Sequence, residues 1–319
     1  MVIEYLINPK LIEKKRLYAF VLGVMYSIMG ILFAWLLFPA DPSLVAVAFT
    51  SILILPAMRK LFSIEEQQDK HIKKFSVKLL WKNHNDILSV YLLLLLGVFL
   101  VYSVAAIILP SMSVNGLFRD QLELRLTDDG RGLASDVSNN KYDNSALKDS
   151  LSLDSSTNTV SSLKFSKGLF LELLTNNLLV LFACLALAFL TGDGAIFLLT
   201  WNASLWGTIF GVIARNASIV SHINPFLLLC LVLLIVLPHA FLEMLSYVLG
   251  AISGGLMSND VELEENELDS ERFKGSYWKS VLFILILAIV VVIIGGLVET
   301  FVLNNVTLYA RLIAQSYLA

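Results

Sequence analysis

Apolar residues along this chain collect into runs of roughly twenty, separated by short polar breaks, and that pattern predicts helices that cross a lipid bilayer. A hydrocarbon core about 30 Å thick takes roughly 20 helical residues to span. Inside it only a helix or a closed barrel satisfies its own backbone. The first run covers about Leu17 to Phe38 and stops at Pro39 and Pro42. The second, about Ser43 to Met58, ends at Arg59-Lys60. The third runs from about Ile87 to Leu109, with Pro110 behind it. The fourth and fifth, about Leu169 to Leu190 and Ala195 to Ala214, flank Thr191-Gly192-Asp193-Gly194, whose glycines suit the positive φ of a tight turn. The stretch from Pro225 to Met257 would measure about 48 Å as one helix. Pro238 lies inside it and removes a backbone hydrogen bond, so a kinked, broken or re-entrant helix is expected near that residue. The last run extends from about Lys279 to Leu303. The expected fold class is all-α, a polytopic transmembrane bundle of about seven spans.

Polar stretches divide the chain. Residues 1–110 form an N-terminal three-span region containing a 59–86 linker, and residues 111–167 form a loop rich in Ser, Asn and Asp. Such a loop buries little apolar area, so it is expected to be partly disordered. Residues 168–303 form a second membrane core, and residues 304–319 an amphipathic tail. Lys10, Lys14, Lys15 and Arg16 precede the first span, and Lys70, Lys73, Lys74, Lys78 and Lys82 fill the linker. The positive-inside rule therefore places the N-terminus and the linker in the cytoplasm, and the 111–167 loop outside. The first run is longer than a signal-peptide core and no small-residue cleavage site follows it, so it is read as a retained span. A simple count leaves the C-terminal end outside, whereas a re-entrant hairpin at Pro238 would reverse it.

Composition agrees with the membrane reading and excludes other classes. The chain is 57% hydrophobic and only 15% charged, too little charge to cover a water-soluble surface of this size. Its net charge of -3 and its lack of a basic stripe argue against nucleic acid as a partner. Cys184 and Cys230 both lie in apolar runs and form neither a disulfide framework nor a zinc site. No phosphate loop, HExxH or GxSxG motif is present, so no enzyme, cofactor or metal is expected.

Polar residues inside the spans are the candidates for chemistry, because an ionisable group in lipid costs a few kcal/mol and needs a partner or a role. His239 and Glu243 are four residues apart, on one helical face just after Pro238. They could share a proton, hold a metal if further ligands joined them, or bond a neighbouring helix. Glu299 lies near the end of the last span. In simple antiparallel helices Glu243 and Glu299 fall near opposite membrane faces, so they are expected to meet only if the helix breaks. Asn176, Asn177 and Asn202 are suited to interhelical hydrogen bonds. Gly207 with Gly211, Gly250 with Gly254, and Ala251 with Gly255 repeat at the four-residue spacing that allows close helix packing.

These elements together resemble the stage II sporulation protein M family over roughly residues 165–303. The resemblance rests on Asn176-Asn177, on Asn202 with Gly207 and Gly211, on Leu237-Pro238-His239 with Glu243, on Gly250 and Gly254-Gly255, and on Glu299 with Phe301. The chain has Ala240 after the His, and Ala203 after Asn202, where the family often has Gly. The resemblance implies a multi-spanning protein of the cell membrane that assembles with other proteins. A scaffold or assembly component is therefore the first expectation, with protein partners or a homo-oligomer in the bilayer. The alternative is a transporter or permease subunit working through the buried His/Glu residues. A minor alternative is an intramembrane enzyme. Convergence of His239, Glu243, Glu299, Asn177 and Asn202 around a cavity would favour transport or ligand chemistry. Complete mutual bonding would favour a scaffold.

Overall fold

The computed structural model describes residues 17–69, 77–128, 165–192, 194–264 and 271–316. All regular structure among the described residues is helical. In chain order the helices are α1 (Leu17–Leu37), α2 (Pro42–Asp69), α3 (Val77–Ile108), α4 (Ser111–Leu117), α5 (Arg119–Asp128), α6 (Lys167–Thr191), α7 (Ala195–Ser221), α8 (Pro225–Glu264), α9 (Glu271–Asn305) and α10 (Thr307–Ser316). Seven of them, α1 to α3 and α6 to α9, contain a segment long and apolar enough to span a membrane. Their outward faces are oily, with Leu190 73% and Leu234 75% exposed, as lipid contact requires. The chain is a polytopic helical membrane protein.

The spans form two groups of three, α1–α2–α3 and α6–α8–α9, joined by α7, which packs against both α3 and α8. Glycine makes the seams. A Cβ built on Gly207 would lie 2.5 Å from the Phe99 carbonyl oxygen, and one on Gly211 2.5 Å from that of Ser103. Since 207 pairs with 99 and 211 with 103, α7 and α3 run parallel, with their backbones nearly touching. Gly250 against Leu181 and Gly254 against Leu185 make the same parallel contact between α8 and α6. Gly255 is buried on α8 as well. Gly23 and Gly97 mark the crossing of α1 and α3, and Gly30 abuts Ala46 and Thr50 of α2.

Several expectations change here. α8 is continuous across its 40 residues, so the break or re-entrant turn expected at Pro238 is absent. Proline lacks one N–H, and a helix can lose a single bond when the ring faces outward; Pro238 is exposed. Among the described residues of the α6–α7 turn only Gly192 takes a positive φ, 72°, while Gly194 is right-handed at φ -61° and is held by the Thr191 hydroxyl. The polar loop opens with structure. Val114, Leu117, Phe118 and Gln121 of α4–α5 are buried, and Phe118 packs on Tyr102 with ring centroids 5.3 Å apart. Residues 129–164 lie outside the described residues, as do residues 1–16 and 70–76 with their lysines. The tail forms α10, which buries Tyr309, Leu312 and Ile313 and is tied to α7 by Asn216 Nδ2 donating to the Ser316 carbonyl at 3.0 Å.

Candidate functional site

Among the described residues, a group of buried ionisable side chains lies between α6, α8 and α9. His239, Glu243 and Tyr247 follow one another at four-residue intervals on α8, a single stripe on a helix of 3.6 residues per turn. All three are buried, at 7%, 4% and 1% exposure. Continuation of α8 through Pro238 keeps this stripe in register.

The approach of α9 completes the site. Gly295 lies against Leu242 and Glu243, where an added Cβ would meet the Glu243 Cγ at 3.4 Å. Further along, Ser253 Oγ donates to the Val281 carbonyl at 3.3 Å. With those two crossings the antiparallel pair places Glu299, one turn beyond Gly295, beside the polar stripe. The carboxyls of Glu243 and Glu299 are in hydrogen-bonding contact. The expectation that they meet only if α8 breaks is therefore corrected. The physical reason is length. The apolar part of α8, Pro225–Ser258, is 34 residues, about 51 Å as a helix. It overruns the end of α9, so its middle, rather than its far end, comes level with Glu299.

α6 contributes one amide. Tyr247 Oη donates to Asn177 Oδ1 at 3.0 Å, and the Asn177 amide faces the Glu243 carboxyl. Among the described residues its Nδ2 reaches hydrogen-bond geometry with no acceptor, and neither Glu243 Oε1 nor His239 Nδ1 has a hydrogen-bond partner. The arrangement thus combines two adjoining carboxyls, an imidazole one turn away on the same stripe, and a Tyr–Asn bridge that fixes one wall. Among the described residues, no three His, Cys, Asp or Glu side chains are grouped to hold a metal ion.

The other candidates lie elsewhere. Asn176 is exposed, about 100° around α6 from the buried Asn177. Asn202 donates to the Leu198 carbonyl of its own helix at 2.9 Å and is part of α7, not of this site. Tyr247 was missed in the sequence because an isolated tyrosine in an apolar run reads as packing. Its spacing of four from Glu243 was the available signal. A second polar set was also missed. Ser43, at the start of α2, donates to Gln121 Oε1, and Gln121 Nε2 donates to Ser204 of α7 at 3.4 Å. Gln121 is wholly buried between those helices.

Comparison with known proteins adds one finding. No curated protein and no solved structure matches the chain. The model of one family, Stage II sporulation protein M, matches residues 19–302. The match takes in α1 to α5 as well as the second membrane core, so the likeness is wider than the 165–303 stretch that suggests it in the sequence. By that match, over most of its length and including every residue of the buried site, the chain belongs to the stage II sporulation protein M family.

Proposed function

We propose that this chain is a membrane transport component in which the Glu243–Glu299 pair and His239 accept and release a proton in exchange with a small cationic solute or with a proton path. One observation supports this above the others. Glu243 and His239 are buried together at membrane depth, each with a polar atom that no group among the described residues satisfies. Groups retained for packing alone are normally bonded, and ionisable residues inside a span are most economically explained by a substrate or proton route. The reading excludes catalysis on substrate bonds, for which no nucleophile is paired with a base in the site. It also orients the chain by its lysine-rich segments, with the start of α1 on the cytoplasmic side.

The test is proton flux in proteoliposomes that carry an internal pH indicator. Wild-type protein is expected to dissipate an imposed pH gradient, and Glu243→Gln to abolish that flux while leaving the protein monodisperse. Equal flux from wild-type and Glu243→Gln vesicles, or none from either across a range of small cations, would remove the proposal.

A scaffold role is the second reading, supported by a different surface. α5 is anchored from beneath by Gln121 and turns Arg119 and Glu123 outward, joined by a salt bridge of 2.9 Å. A fixed, charged helix at the membrane face suits a protein partner. Affinity capture from membranes with wild-type chain and with an Arg119→Glu, Glu123→Lys variant distinguishes it, since a scaffold loses its partner while proton flux stays unchanged.

A further inference from the structure

Between the two three-helix groups lies a crevice of about 750 Å³, including its open mouth, walled by α3, α7 and α8. Every residue lining it is apolar; Leu93, Ala203, Trp206, Val236, Ala240 and Met244 are among them. All three walls are the middle parts of membrane spans. The mouth is framed by Leu96, Leu237 and Phe241, which are 44%, 52% and 49% exposed on the lipid-facing surface. The crevice is therefore a concave continuation of the surface that meets the bilayer.

Three physical facts select its occupant. Water needs two or more polar partners to stay in a cavity, and the walls of this one are almost wholly apolar. Left empty, its walls forfeit the dispersion contacts that close-packed interiors make. Hydrocarbon stands directly at the mouth. We propose that the crevice is a binding site for one acyl chain of a membrane phospholipid, inserted between the two halves against α8. The inserted chain braces the face of α8 that lies roughly a quarter-turn from the His239–Glu243–Tyr247 stripe, given about 100° per residue. Acyl-chain occupancy is independent of the transport reading, because the site would exist whether or not the polar stripe moves a proton.

The full chain reconstituted in nanodiscs of phosphatidylcholine carrying a mid-chain diazirine tests this. On illumination, label is expected severalfold above the lipid-facing background of α1 in the peptides containing Leu92–Phe99 and Leu233–Met244. Ala240→Trp, which fills the crevice, is expected to return those peptides to background. Label spread evenly over all lipid-facing helices of the wild-type protein would overturn the proposal, whatever the variant does. So would enrichment that persists unchanged in monodisperse Ala240→Trp protein. Crevice peptides that cross-link to a second copy of the chain in place of lipid would overturn it in favour of a dimer contact. Should Ala240→Trp fail to fold, Leu237→Trp at the mouth serves as the blocking variant.

Discussion

Tyr247 and Asn177 show how one buried bond shapes the site. The tyrosine hydroxyl donates to the amide oxygen, so Tyr247→Phe leaves Asn177 Oδ1 buried without that donor. Polar bonds between membrane helices contribute about 0.6 kcal/mol on average and up to about 1.7. The expected loss for Tyr247→Phe is about 1 kcal/mol, read from unfolding in a mixed-detergent titration. Asn202→Ala is expected to change stability by less than about 0.5 kcal/mol, because its amide bonds only its own helix. That difference between two asparagines was not legible in the chain, where both read as interhelical donors. Which way a side chain faces across a seam depends on the rotation of the whole helix. By contrast, the i, i+4 relation of His239 and Glu243 is a property of one helix and was legible directly. Glu299 falls between these cases. Its burial cost announced it as a polar residue needing company, but its partner depended on the register between α8 and α9.

Glycines set the helix contacts, and each can be tested against the space around it. A side chain at Gly211 runs into the backbone of Ser103, so Gly211→Leu is expected to lose about 1–3 kcal/mol or to misassemble. Gly116 on α4 has nothing within 4 Å of an added Cβ. Gly116→Ala should therefore gain about 0.5–1 kcal/mol from helix propensity. Thermal melting in detergent compares the two. Pro238 belongs to the same scale. Because α8 passes through it unbroken and the ring faces outward, Pro238→Ala is expected to preserve the fold and raise the melting temperature. A fall would show that the proline maintains a bend the site needs. The spans were legible as elements because bilayer thickness fixes their length. The Gly207–Gly211 and Gly250–Gly254 seams were legible because their spacing repeats. Gly23, Gly30 and Gly97 were not, since each meets a partner on another helix and shows no local repeat.

Seven spans place the start of α1 and the end of α9 on opposite faces of the membrane. Reporter fusions before Leu17 and after Ser316 should therefore report opposite compartments; a shared compartment would mean that one of the seven segments does not cross. Within this arrangement the two halves are not equally self-sufficient. Gln121, carried on the segment that follows α3, finds one partner on α2 and the other on Ser204 of α7. Eighty-three residues of chain separate Gln121 from Ser204. During synthesis the first three spans are inserted well before α7 emerges, and until it does the glutamine lacks half of its bonds. The N-terminal half must therefore wait in an open state for the fifth span, so a fragment ending before Ala195 should be a short-lived protein prone to proteolysis, which supplying α7 in trans would relieve.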